Sequence, residues 1–209
     1  MDHSMPPFSL SKSTLLEGIS YLCTIDPNLA SVVSELGNPP LWSRPPGFPT
    51  MIHIILEQQV SLASAKAAFT KLENAAGELT PACFLDFTDT ELREIGFSRQ
   101  KTKYGRELST AILNGHLNLS ELNCLDDTAA RNELMVIKGI GPWTADIYML
   151  MALLRPDIWP TGDLALAKAV QKINKLSGKP RQGELIVIAE RWRPWRAVAA
   201  RILWHYYLN

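Results

Sequence analysis

Leu134-Met135-Val136-Ile137-Lys138-Gly139-Ile140-Gly141-Pro142-Trp143-Thr144-Ala145 is the stretch that decides the fold. An apolar helix end runs into Lys138-Gly139-Ile140-Gly141-Pro142, and a new helix begins there. Two glycines one residue apart let the backbone turn tightly and come close to a partner. Pro142 suits the first turn of a helix, where its missing N–H costs nothing. The N–H groups of that turn point outward with the positive end of the helix dipole. Together they make an anion site suited to a phosphodiester. An ordinary turn between two helices would use the same residues.

The pattern on either side is helical. Upstream, Leu15–Leu22 and Leu29–Leu36 each have the apolar spacing of a short amphipathic helix, and Asp26-Pro27 is a cap-then-proline start for the second. Asn38-Pro39-Pro40 and Arg44-Pro45-Pro46-Gly47 cannot be helix interior and predict an extended arm. From Pro49 to Phe69 the apolar residues Ile52, Ile55, Leu56 and Val60 recur at helical spacing, broken by the polar triplet Glu57-Gln58-Gln59. Thr88 with Glu91 fits a capping box, and Gly96 would end that helix. Ser98 could cap Arg99–Leu113, and Asp126 or Asp127 could start a helix running to Ile137. No alternating strand pattern stands out, so the expected fold class is all-α.

The chain has 209 residues, 46% of them hydrophobic and 20% charged, which fits a globular protein with a substantial core. No apolar run approaches the roughly 18 residues that span a bilayer. Met1 to Ser13 lack a basic patch followed by an apolar stretch, so no secretory signal is read and an intracellular location is expected. Cys23, Cys83 and Cys124 lie far apart and contain no CxxC pair. They predict reduced thiols, and their spacing suggests no disulfide framework, zinc site or iron–sulfur cluster. Formal net charge is zero, but the charge is segregated. Between Lys168 and Arg201 nine basic residues (Lys168, Lys172, Lys175, Lys179, Arg181, Arg191, Arg193, Arg196, Arg201) face only Glu184 and Glu190. Arg99, Lys101, Lys103 and Arg106 form a second cluster. Such patches attract phosphates even at zero net charge, and solvated helix faces would look the same.

Downstream of the hairpin stands Trp159-Pro160-Thr161-Gly162-Asp163-Leu164, followed by an apolar helix. Thr161 or Asp163 could cap that helix. A carboxylate there would also be held ionised by the dipole and the nearby N–H groups. Lys138 to Ala145, followed about 20 residues later by Pro160-Thr161-Gly162-Asp163, resembles the signature of the helix-hairpin-helix (HhH-GPD) DNA glycosylases, most closely the 3-methyladenine DNA glycosylase II type. Ile54–Ser61, Gly96–Lys101 and Ala189–Arg196 are similar to three further segments of that family, so the resemblance covers roughly residues 46 to 206.

The resemblance implies a fold of two helical lobes with the active site in the cleft between them. Residues 1–45 would be a helical cap with a Pro-rich arm, and 46–209 the glycosylase domain. It implies a monofunctional enzyme that hydrolyses the N-glycosidic bond of alkylated purines, of the 3-methyladenine and 7-methylguanine kind, in duplex DNA. A non-catalytic DNA damage-binding module is the alternative. Asp163 would be the catalytic carboxylate, stabilising an oxocarbenium-like sugar. Trp143 and Trp204 would line the base pocket, where an aromatic face suits a cationic base; core packing is the competing role for each. Trp192 and Trp195 read as structural. Gln58, Gln59, Lys101, Lys138, Gly139 and Gly141 would contact DNA. Gln59 falls at the position of the duplex wedge, where better-known members carry leucine. Backbone carbonyls of Met135, Ile137 and Gly139 would hold a monovalent cation, Na+ or K+. No cofactor would be required. The position of the lyase lysine in bifunctional relatives is Trp143 here, which implies base excision without strand cleavage. The cluster-bearing branches place four cysteines near the C-terminus, and this chain has none after Cys124. A monomer that binds duplex DNA and no membrane is expected.

Overall fold

Capping side chains set most of the helix starts. Ser98 accepts the N–H of Lys101, Asp126 accepts those of Thr128 and Ala129, and Thr88 forms a reciprocal capping box with Glu91. The structure, a computed structural model, describes residues 8–209, and among these it contains only helices and connecting loops. The part of the Met1–Ser13 reading that falls on residues 1–7 lies outside the described residues. No helix of the described residues is long and apolar enough to cross a membrane.

The chain forms two compact units, Arg44–Tyr148 and Phe8–Ser43 with Met149–Asn209. The first contains α3 (Phe48–Glu57), α4 (Leu62–Ala76), α5 (Pro81–Asp86), α6 (Asp89–Ile95), α7 (Arg99–Leu113), α8 (Asp127–Met135) and most of α9 (Pro142–Met151). Helix α3 is its centre, with Met51, Ile52, Ile54 and Ile55 fully buried. Gly105 of α7 lets the Phe84 ring in, since a Cβ there would stand 2.4 Å from the ring. The Tyr148 hydroxyl accepts the Gly47 N–H at the start of α3, and burial pushes its pKa up to about 12.

The second unit contains α1 (Lys12–Ile25), α2 (Pro27–Leu36), α10 (Leu164–Ile173), α11 (Gln182–Glu190) and α12 (Arg196–Leu208). Helix α12 is central, and Ala197 through Trp204 are all buried. Gly18 of α1 packs on the Trp195 ring and Val198. Asp26 caps α2 with one carboxylate oxygen, and its other oxygen accepts the Trp192 indole N–H at 2.8 Å and meets Arg191 at 3.2 Å. The compact units thus join residues 8–43 to 149–209, a grouping other than the expected division at residue 45. Helices α1 and α2 and the extended stretch after Leu36 are as expected, and both helices pack on α12 within the second unit.

Four elements were not singled out in the sequence: α5, a 3-10 turn at Glu121–Cys124, α11 and α12. Helix α8 also stops at Met135, two residues short of Ile137, where a tighter Ile137 N–H to Leu134 carbonyl bond closes the turn.

Candidate active site

In the first unit the hairpin joins α8 to α9, with Pro142 as the first helical residue. The two glycines have different jobs. Gly139 has φ +98, and a Cβ there would lie 2.1 Å from the Tyr104 ring. Its small size serves the protein's own packing. Gly141 has nothing within 4 Å of that position, so its face is the one open to a phosphate. Gln58, just past α3, donates through Nε2 to the Gly139 carbonyl and to Thr144 Oγ1, each at 2.9 Å. Both amide hydrogens of Gln58 are thus used to lock the hairpin. An Arg131–Asp146 ion pair ties α8 to α9. Gln59 is exposed and stands at φ +57, a left-handed conformation that non-glycine residues rarely adopt. Lys138 is exposed, and Trp143 is half-buried on the first turn of α9. Lys101 Nζ donates to the Leu56 carbonyl at 2.7 Å, capping the end of α3, and burial lowers its pKa. Of the three carbonyls named for a cation, that of Ile137 accepts the Ile140 N–H at 3.0 Å and that of Gly139 accepts Gln58.

In the second unit Asp163, and not Thr161, is the N-cap of α10. Its Oδ1 accepts the Leu166 N–H at 2.9 Å. The same oxygen receives the Trp204 indole N–H at 3.3 Å, and Gly162 before it has φ +85. Cap and indole thus converge on one carboxylate oxygen, which holds the group in place. Trp204 is 8% exposed. A second ring meets it: Trp42, from the Pro-rich arm, lies edge-on with centroids 6.5 Å apart. No spacing rule points to Trp42 or Tyr104. Each is placed by contacts far along the chain. Trp192 is fully buried, and Trp195 packs against Phe8 and α1, which fits the structural role expected of both.

The basic clusters are smaller than their residue count. Arg193 and Arg196 pair with Asp157 and Glu190, and Arg191 pairs with Asp26. Arg201 is fully buried and donates to the carbonyls of Leu41, Ala197 and Leu150; burial pushes its pKa down to about 9, still charged at neutral pH. Arg106 is bound to the carbonyls of Leu85 and Phe87 and to Asp89. Exposed cations of the two clusters that remain are Arg99 and Lys103 in one unit and Lys168, Lys172, Lys175, Lys179 and Arg181 in the other.

Comparison with known proteins agrees with this geometry. The profile of the HhH-GPD superfamily base excision DNA repair proteins matches residues 52–196. Bacillus subtilis YfjP is 29% identical over 187 residues, which cover 85% of this chain and 64% of its own length. The alkylbase DNA glycosidase-like protein mag2 of Schizosaccharomyces pombe is 29% identical, with 88% of this chain and 90% of its own covered. Among solved structures, the S. pombe 3-methyladenine DNA glycosylase Mag1 in complex with abasic DNA superposes with a TM-score of 0.83 at 25% identity, over 90% of this chain and 95% of that one. The DNA-3-methyladenine glycosidase of Bacillus halodurans gives 0.74 at 28% identity, over 96% and 91%. With its hairpin, its capped carboxylate and a profile match over more than half its length, the chain belongs to the HhH-GPD superfamily of base excision DNA repair proteins.

Proposed function

We propose that the protein is a monofunctional DNA glycosylase that removes alkylated purines from duplex DNA. The observation that carries this reading is Asp163. A helix cap and a tryptophan N–H grip the same carboxylate oxygen, beside an aromatic surface. A plain cap needs no indole partner. When the glycosidic bond lengthens, the sugar gains oxocarbenium character, and a carboxylate fixed nearby lowers that barrier. Bases such as 3-methyladenine and 7-methylguanine already carry positive charge and leave readily. Aromatic faces attract them by stacking and cation–π interaction. Trp204 would supply such a face, as would Trp143.

The open face of Gly141, Lys138 and the first turn of α9 would hold the DNA backbone. Gln58 and Lys101 would act on DNA through the elements they lock, and exposed Gln59 would be the wedge that enters the duplex as the base flips. Neutral carbonyls at the negative end of α8 suit a monovalent cation. Met135 and Ile137 would hold Na+ or K+ there, with Gly139 contributing the lone pair that Gln58 leaves. Such an ion would add positive charge opposite a phosphate. A half-buried tryptophan replaces the lyase lysine at position 143, so strands would stay intact.

The names of the relatives and the Mag1–DNA complex support catalysis over a damage-binding module. The chain would act as a monomer, in the nucleoid of a bacterium or the nucleus of a eukaryote. The test is release of free base from methylated duplex DNA, wild type beside Asp163→Asn. Release by the wild type alone, leaving intact abasic strands, is expected. Full release by Asp163→Asn would refute the mechanism.

A further inference from the structure

Among the described residues Trp42 is the aromatic one that stands at positive φ. It has φ +47, a left-handed conformation that is an outlier for so bulky a side chain. Such outliers persist only where the surroundings enforce them, and they cluster at functional sites. Here the enforcement is visible. Fully buried Arg201 donates to the carbonyl of Leu41, the residue immediately before. The strain aims the Trp42 ring at the end of α12, edge-on to Trp204 at 6.5 Å and to His205 at 6.4 Å. Trp204 in turn holds Asp163 through its indole N–H at 3.3 Å. Trp42 is thus one ring removed from the carboxylate. Trp42 is only half-buried, whereas Trp204 is 8% exposed. A ring needed only for packing would gain more by burial than this one does.

We propose that Trp42 is a specificity-determining wall of the base site, presenting its π face to the cationic purine that Asp163 acts on. The inference rests on the glycosylase reading above. A tryptophan face has the strongest quadrupole of the side chains, followed by tyrosine and phenylalanine, and aliphatic groups have none. The wall therefore favours charged alkylpurines by electrostatics, in addition to shape.

The test is single-turnover release of 7-methylguanine from methylated duplex DNA by wild type and by Trp42→Tyr, Trp42→Phe and Trp42→Leu. DNA affinity and melting temperature are measured alongside. The rate is expected to fall in that order, with Leu about 5- to 30-fold below wild type, while DNA affinity stays constant. A rate for Trp42→Leu equal to wild type overturns the proposal. So does an equal loss in Phe and Leu, which would mark Trp42 as a prop for Trp204. If Trp42→Leu does not fold, the order of Trp, Tyr and Phe still decides. No release by the wild type would instead overturn the glycosylase reading.

Discussion

Replacing each hairpin glycine by alanine separates two functions that one motif carries. At Gly139 the backbone has φ +98 and the new Cβ would fall 2.1 Å from the Tyr104 ring. A left-handed conformation in a non-glycine residue costs about 1–3 kcal/mol. Forcing the ring aside costs about 1–3 kcal/mol more. Gly139→Ala should therefore lose about 2–6 kcal/mol, a large part of the stability of a typical domain. In a chain of this size that is a drop of roughly 5–20 °C in melting temperature. At Gly141 the φ is ordinary and no atom lies within 4 Å, so Gly141→Ala should melt like wild type, to within about 0.5 kcal/mol. Its added methyl should instead obstruct the phosphate, lowering duplex affinity about tenfold or more, equal to about 1.4 kcal/mol. The assays are thermal melting followed by circular dichroism and fluorescence anisotropy on a labelled duplex at low salt. A cycle with Tyr104→Ala sharpens the result. If the clash is real, Gly139→Ala should cost about 1–3 kcal/mol less in the Tyr104→Ala background. Equal stability losses in both backgrounds would refute the packing argument. Wild-type affinity for Gly141→Ala would refute the assignment of its face to phosphate.

Further outcomes follow from the same geometry. Gln58→Ala removes both donors that lock the hairpin and should cost about 1–3 kcal/mol in urea unfolding, with weaker DNA binding as the turn loosens. Arg201→Leu would leave three carbonyls that now accept its N–H groups without them; a loss of about 3–5 kcal/mol, read as a fall in melting temperature, is expected. His53 stacks on Phe69 and its pKa is lowered, by burial first, with Arg44 and Lys66 adding and Glu57 opposing. The unfolded chain then binds more protons, so stability should fall as pH drops below 6.5. His53→Gln should flatten that dependence in a melting-temperature series.

What could be read from the chain was local. Ser98, Thr88, Asp126 and Asp163 cap helices through bonds to residues two or three ahead, and short-range chemistry of this kind is written in adjacent letters. The hairpin was legible for the same reason, and so was Asp163, once Gly162 and an apolar helix framed it. Helix α5 escaped because six residues are too few to show a period. The charge clusters were overread because their partners are distant. Arg191 meets Asp26, and Arg193 and Arg196 meet Asp157, contacts that the fold alone creates. The packing of the N-terminal helices on the C-terminal ones is equally long-range. Asp26 and Trp192 are 166 positions apart and share one hydrogen bond. Trp42 belongs to the same class, since a tryptophan in a Pro-rich arm gives no hint of the ring it will meet.

Asp163 does two jobs, and they can be separated by the choice of substituent. As a cap its oxygen accepts the Leu166 N–H, and asparagine caps about as well as aspartate. Alanine does not cap, and its cost at such a position is about 0.5–2 kcal/mol. The indole of Trp204 also keeps an acceptor in Asp163→Asn, through the amide oxygen, and loses it in Asp163→Ala. Asn should therefore leave melting temperature and duplex affinity near wild type while base release collapses, because it removes only the charge that faces the developing cation. Ala should lose stability and base release together. If Asn and Ala destabilised the chain equally, the charge itself would be holding the start of α10, and a lost activity could no longer be assigned to chemistry. The residual rates would then have to be compared at matched folded fractions. If Asn alone kept its stability and lost its rate, the carboxylate's charge would be established as the part of the cap that the fold does not need.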